Sequence, residues 1–383
     1  MKNLSIILII LFSFNIFASA EESPAMPAFE KVNGPLDYED DLDFEHVLLA
    51  IQRQLKYFDN TDLSSKFKFG QRTLRREHLK NSLLVFRKLI VDAMNCFQIS
   101  TRSNCLSEFN LEMNGAFEAY RPVPEKWERG YKENKTMFTA YYSPDFEGSY
   151  TKTEVYKNPI YAYPKNTADQ KLSSDEINYQ GKLANKGLEI VYVKESLYDI
   201  WLMHVEGGAR VLINTNGVVE KKYLSYVASN NQSFEMLYKY MIAEGMLQSG
   251  ATKIANQREY FLSHPQDQRR ILNSSPSFIF FRLTEEEPVG VKNIPLTENR
   301  SIATDYRRVK EYGFINFIKT KRPFFENNQV NNKDFSRFFI NQDTGGAIKG
   351  AARVDLYFGY GKKAELASNY VYGLGEQYYI ILK

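Results

Sequence analysis

From Phe138 onward the chain is written largely in short apolar runs with a period of two, and this pattern most narrows the folds open to it. Phe138-Thr139-Ala140-Tyr141-Tyr142, Ile190-Val191-Tyr192-Val193, Ile200-Trp201-Leu202-Met203 and Ser277-Phe278-Ile279-Phe280-Phe281 each read as a strand bounded by turn clusters. Strand texture then continues to the C-terminus. The aromatic share of 14% agrees, since aromatic side chains suit half-buried pleated surfaces. Helical spacing is confined to fewer places. Phe44, Val47, Leu48, Ile51 and Leu55 mark one amphipathic helix over residues 43–57. Leu79, Leu83, Leu84, Phe86, Leu89, Ile90 and Ala93 mark a second within 73–97, and further helical stretches cover 234–247, 256–262 and 266–272. The expectation is a mainly β protein with flanking helices. Residues 21–40, rich in Pro, Gly and acids, read as a flexible leader.

The 383 residues suffice for about two domains at roughly 150 residues each. Forty-nine Lys and Arg against 46 Asp and Glu leave a formal charge of +3, too balanced for a dedicated nucleic-acid binder. The first 20 residues have the plan of a secretory signal: Lys2, an apolar run from Leu4 to Phe17, and Ala18-Ser19-Ala20 before two glutamates. The run is shorter than the roughly 20 residues a membrane span needs. No Cys follows it to carry lipid, so the expectation is an exported, soluble, periplasmic protein without a stable membrane span. Cys96 and Cys105 are the two cysteines, and in an oxidising compartment they read as one disulfide closing a short loop.

The segment richest in chemistry is Asp343-Thr344-Gly345-Gly346-Ala347-Ile348-Lys349-Gly350, followed by Arg353-Val354-Asp355-Leu356-Tyr357-Phe358-Gly359. Its glycines permit a tight, close-approaching connection between two strands, which brings one carboxylate from each end into a single cleft. Alternation places Asp355, Tyr357 and Gly359 on one face and Val354, Leu356 and Phe358 beneath. Arg353 is expected to point away from Asp355. Read from pattern alone, Asp355 is either a groove carboxylate or a turn-capping one. Asp343-Thr344-Gly345 also spells the aspartic protease triplet, but that chemistry needs two such triplets sharing a proton, and this chain holds one.

These residues and several others, in order, resemble the membrane-bound lytic transglycosylase A family with its C-terminal three-aspartate domain. Phe138 to Pro144 is similar to the family's Phe-Thr-Gly-Tyr-Tyr-x-Pro, and Asn158-Pro159-Ile160-Tyr161 contains its Pro-Ile-Tyr. Val205-Glu206-Gly207-Gly208-Ala209-Arg210-Val211 takes the place of Val-Gln-Gly-Ser-Gly-x-Val, with Glu206 where the family has Gln. Asn273 with Pro276 to Phe281 resembles Asn-Pro-Ser-Phe-Val-Phe-Phe. Asp305, Asp343 and Asp355 match the three aspartates, although the proline before the equivalent of Gly313 is absent.

The resemblance implies a double-psi β-barrel domain, residues 21–148 plus 277–383, interrupted by a β-rich domain at 149–276, with a glycan groove between them. It implies cleavage of the β-1,4 bond between N-acetylmuramic acid and N-acetylglucosamine in peptidoglycan, leaving 1,6-anhydro ends, with no cofactor and no metal. Asp355 is then the catalytic acid and base and Asp343 its partner. Thr139, Tyr142, Ser143, Glu206, Gly207, Gly345 and Gly346 are the expected substrate contacts, with Asp305 and Lys349 in support. Asp305 has the alternative of capping the turn before Gly313. A carboxylate at Glu206 also admits hydrolysis through a bound water. A non-catalytic peptidoglycan-binding scaffold on the same fold is the competing reading. His46, His78, His204 and His264 are too scattered for a metal site, and His204 is placed in a strand as a structural residue. Glu285-Glu286-Glu287-Pro288 reads as a solvated loop, and Lys362-Lys363 as surface or a contact for an acidic stem peptide.

Overall fold

A computed structural model describes residues 28–383 apart from positions 216, 288, 327 and 328, so the expected signal segment lies outside the described residues. The chain begins with β1 (Phe29–Lys31), α1 (Val47–Asp59), the hairpin β2 (Lys66–Phe69) and β3 (Arg72–Arg75), and two helices, α2 (Arg76–Ile99) and α3 (Arg102–Ala116). β4 (Phe117–Pro122) and β5 (Thr136–Ser143) follow. Next come β6 (Asp145–Ser149), β7 (Asn158–Tyr161), α4 (Ser174–Asn178), β8 (Glu189–Val193), α5 (Leu197–Glu206), β9 (Gly208–Thr215) and β10 (Val218–Ser229). Three helices, α6 (Leu237–Ala243), α7 (Ile254–Ser263) and α8 (Gln268–Asn273), lead to β11 (Ile279–Thr284). The last part holds β12 (Ser301–Thr304), α9 (Tyr306–Val309), β13 (Ile315–Glu326), β14 (Gln329–Thr344), β15 (Arg353–Tyr360), α10 (Gly361–Tyr370) and β16 (Tyr372–Leu382).

Strands β16, β13, β14, β12, β15 and β5 pair in that order and close on one another through β16 and β5. Two of these pairings, β12 with β14 and β15 with β5, are parallel while the others are antiparallel. This is a double-psi β-barrel. Between β5 and β12 the chain builds a separate six-stranded sheet, ordered β11-β10-β9-β6-β8-β7, whose two edges approach where Tyr163 meets Phe280 at 5.5 Å. The fold is therefore mainly β with flanking helices, one barrel interrupted by a second β-rich unit, and a groove lies between the two.

Burial follows the alternation. Phe138, Ile302, Ile318, Phe339, Val354 and Leu356 fill the barrel, and Phe146, Val191, Val211 and Leu224 fill the second sheet. Helices α1 to α3 cover the outside of the barrel: Phe86 and Phe109 meet Phe338, and Phe58 joins the same core.

Several expectations change. Ile200 to Met203 form part of helix α5, not a strand. Ile200 and Met203 pack on the second sheet while Tyr198, Trp201 and Leu202 face α6 to α8, so the helix is apolar on both sides and loses its periodic signature. Residues 28–46 are tied down rather than flexible. Asp40, in the acidic stretch, forms a fully buried ion pair with Arg300 at 2.6 Å and also accepts the amides of Leu42, Phe44 and Phe338. Helix α3 was not expected; Cys105, Phe109 and Met113 give it a single narrow buried stripe, and the Cys96–Cys105 disulfide joins it to α2. Helix α10 likewise interrupts what read as continuous strand.

Candidate active site

The barrel's parallel pairings determine which side chains meet. Across β14, β12, β15, β5 and β16, the residues Asp343, Ala303, Asp355, Thr139 and Tyr372 stand in one row. Neighbouring strands lie about 4.8 Å apart, so the two aspartates are roughly 10 Å apart at the backbone, separated by the small side chain of Ala303. In-register side chains share a face, and both carboxyls reach toward the same groove.

Asp355 is gripped from two sides. The Thr139 hydroxyl donates to its Oδ1, and Arg353 Nη1 reaches the same oxygen at 2.7 Å. The expectation that Arg353 points away is corrected here: positions 353 and 355 are two apart on a strand, hence on one face. Burial pushes the Asp355 carboxyl above its ordinary range, opposed by Arg353 and by the charge of Arg129. The side chain nevertheless keeps 21% of its surface open, enough to meet a ligand.

Asp343 sits where β14 ends. Its Oδ1 accepts the amides of Thr344 at 2.9 Å and Val291 at 3.1 Å, and its Oδ2 accepts the Tyr141 hydroxyl at 2.9 Å. Burial raises it to about 6, the three donors hold it down, and the charge of Asp355 adds to the rise. Glu206 ends α5 on the other side of the groove. It meets the barrel through the Tyr142 amide at 3.3 Å, and burial pushes it to about 8, with Asp355 and Glu365 contributing. Acid groups with separated ionisation ranges therefore converge from both β units.

The glycine connection is held in place by acids. Gly350 has φ +105°, and a Cβ there would stand 2.2 Å from the Glu128 carboxyl carbon, so no side chain fits. The room is used by Glu128, which accepts the amides of Ala351 and Ala352 at 3.2 and 3.1 Å. Asp305 accepts the Gly350 amide at 2.8 Å, caps α9 through the Arg307 amide, and pairs with the Arg307 guanidinium. Burial works against its charge, but Arg307 and these amides keep it below the ordinary range. It thus caps a helix and anchors the loop at once.

Of the other residues picked from sequence, Ser143 is buried and shares a hydrogen bond of 3.0 Å with the Tyr357 hydroxyl. Gly207 ends α5 in the left-handed region at φ +84°. Gly345 is half-buried, and Gly346 and Lys349 are exposed on the loop rim. Tyr142 packs in the barrel core and faces away from the groove. Residues 139, 141 and 143 share one face of β5, so Tyr141 and not Tyr142 faces the aspartates; the strand period was the signal that could have found it. Arg353 and Glu128 were also missed. His204 lies in α5, not in a strand, against Phe278 at 4.7 Å, and burial lowers it to about 3, so it is a neutral packing residue. No cluster of three or more His, Cys, Asp or Glu able to hold a metal occurs among the described residues, and no described helix is long and apolar enough to cross a membrane. A cavity of about 560 Å³ opens elsewhere, near Lys135, Lys319, Asp334 and Glu376, where Lys135 and Glu376 pair with each other.

Comparison with known proteins agrees with this geometry. Residues 137–282 match the MltA-specific insert domain and residues 300–374 match the 3D domain. A membrane-bound lytic murein transglycosylase A from Vibrio cholerae serotype O1 is 30% identical over 250 residues, which is 63% of this chain and 64% of that protein. The chain therefore matches a little under two thirds of that relative's length. Among solved structures, MltA of E. coli with bound chitohexaose superposes with a TM-score of 0.69 at 20% identity, covering 93% of this chain and 95% of that one. A membrane-bound lytic murein transglycosylase from Agrobacterium tumefaciens gives 0.65 at 22% identity, covering 93% and 97%. These two likenesses establish the fold. With the insert and 3D domain matches in the same order and two aspartates in one row, the chain is similar in both domains to the membrane-bound lytic transglycosylase A family.

Proposed function

We propose that this protein is a lytic transglycosylase that cuts peptidoglycan strands between N-acetylmuramic acid and N-acetylglucosamine without water. The observation that carries the reading is Asp355: a carboxyl whose burial favours its protonated form, fixed by Thr139 and Arg353, and still open to the groove. A hydrolase needs two working carboxylates, one acid and one base or nucleophile. Here one suffices, because the nucleophile belongs to the substrate.

In the proposed reaction Asp355 donates its proton to the glycosidic oxygen as the bond from C1 of the muramic residue breaks. The C6 hydroxyl of that residue attacks C1, and the Asp355 carboxylate takes the hydroxyl proton. Atoms balance with no water consumed, and Asp355 ends protonated for the next cycle. Intramolecular attack gains effective molarities of about 10⁵ M or more in favourable geometry, which removes the need for a separately activated nucleophile. Asp343, held ionised by three donors, supplies negative charge near the developing oxocarbenium centre and favours protonation of Asp355. Glu206, neutral near pH 7, faces the sugar as a hydrogen-bond donor.

The same reading takes a catalytic barrel domain interrupted by an inserted domain, but strand membership shifts the expected bounds of 149–276 outward, because β6 from Asp145 and β11 to Thr284 both belong to the inserted sheet. It also takes the protein to be exported to the periplasm, supported by the signal-like first 20 residues. Digestion of purified sacculi followed by mass spectrometry tests the reaction. Products whose muramic ends lack the elements of water support it; reducing ends indicate hydrolysis through Glu206, and no soluble product indicates a binding protein.

A further inference from the structure

The row of aligned residues continues past the catalytic carboxyl: beyond Asp355 and Thr139 stands Tyr372, the first residue of β16, with 59% of its surface exposed. The Arg129 guanidinium lies over this ring, its carbon 5.1 Å from the ring centroid. Stacking fixes the plane of an arginine while leaving its edge donors free, the geometry that accepts a carboxylate through two parallel hydrogen bonds.

The backbone around Arg129 is fixed on both sides. Glu128 before it is buried and bonded to the glycine loop at Ala351 and Ala352. Gly130 after it is left-handed at φ +72°, with Met137 packed where a Cβ would stand. The neighbouring arginines are already occupied. Arg353 is paired with Asp355, and Arg308, itself over Trp127, is paired with Glu125. Arg129 is exposed and has no ion pair among the described residues. A groove holding the ionised Asp343 repels an anionic ligand unless a cation compensates, and Arg129 is a cation at its edge without an ion-pair partner among the described residues.

We propose that Arg129, stacked on Tyr372 beside Asp355, receives a carboxylate of the glycan substrate. This rests on the peptidoglycan reading above. The carboxylate has two sources: the free lactyl group of a muramic residue stripped of peptide, or the acidic stem peptide itself. Neutral N-acetylglucosamine polymers have neither. Arg129 and Tyr372 thereby make the groove selective for muramyl glycan over chitin-like glycan.

Equilibrium binding separates these possibilities. Asp355→Asn protein, used to prevent turnover, is titrated with chitohexaose, with peptide-free muramyl glycan and with peptide-bearing muramyl glycan, alone and combined with Arg129→Gln or Arg129→Lys. The readout is the ratio of affinities for anionic and neutral glycan, which cancels any fraction of protein that fails to fold. Arg129→Gln should lower this ratio roughly tenfold to a hundredfold, the range for losing a charge-assisted pair, and Arg129→Lys should restore part of it. A drop with peptide-free glycan assigns the lactyl carboxylate, and a drop confined to peptide-bearing glycan assigns the stem. An unchanged ratio with both anionic glycans overturns the proposal. Binding is read without turnover, so these outcomes are independent of which product the wild type releases from sacculi.

Discussion

Replacing Tyr141 with Phe removes one hydroxyl and leaves the ring tilted against Tyr357, 5.1 Å away, so the perturbation is confined to Asp343. The hydroxyl is one of three donors to that carboxylate, at 2.9 Å, beside the Thr344 and Val291 amides. A hydrogen bond to a charged group contributes about 1.5–3 kcal/mol, and about 1.4 kcal/mol corresponds to one pH unit of ionisation. Each donor favours the charged form, so losing one moves the ionisation upward. Asp343, at about 6 in the native protein, should therefore ionise about one pH unit or more higher in Tyr141→Phe. The assay is the initial rate of soluble product release from sacculi between pH 4 and 9, together with NMR titration of the carboxyl carbon. The expected result is an acidic limb displaced upward by about one unit. A limb that stays in place, or moves to lower pH, refutes the assignment of Asp343 as the ionised partner.

Two further predictions concern buried acids. Asp40→Asn leaves Arg300 buried without its counter-charge, a class of change that costs about 3–5 kcal/mol, read by denaturant unfolding at pH 7. Burial opposes the charge of Asp40, but Arg300 and the surrounding amides hold it below its ordinary 3.8, so its contribution is present above that value and fades as pH falls below it. The gap between wild type and variant should accordingly narrow as pH falls below 3.8; a constant gap across pH contradicts the ion-pair account. Glu206 has the opposite sign: its folded value of about 8 exceeds the ordinary 4.5, so the native state binds more protons and loses stability as pH rises between them. Glu206→Gln should unfold at a higher temperature than wild type at pH 8 and show little difference at pH 4.5. It should also keep activity at neutral pH, where Glu206 is protonated and Gln is its close mimic.

Which features were legible from sequence follows from how local their causes are. The barrel strands were readable because Val354, Leu356 and Phe358 alternate with Asp355 and Tyr357, and a two-residue period needs no tertiary information. The glycine connection was readable for a similar reason. Helix α5 was not, because it is squeezed between two cores and its apolar run carries no polar face. Asp40 looked like part of a solvated leader; its partner Arg300 is 260 positions away, and no local pattern announces such a pair. Tyr141 and Arg353 were different. The strand period already placed both on the face of the aspartates, and the sequence argument misapplied it. Glu128 and Arg129 had no local mark, since their roles arise only where the 123–135 loop meets the glycine connection.

The central claim is that one carboxyl, Asp355, both gives and takes the proton. Asp355→Asn keeps the shape and the Thr139 contact but cannot exchange a proton at neutral pH. Sacculi digested with equal amounts of folded wild type and Asp355→Asn, with anhydro-muropeptides counted by mass spectrometry, test this directly. The account predicts abundant anhydro ends from wild type and a rate lower by about 10²–10⁴ in the variant, the range for loss of a general acid or base. Anhydro ends released by Asp355→Asn at the wild-type rate would contradict it.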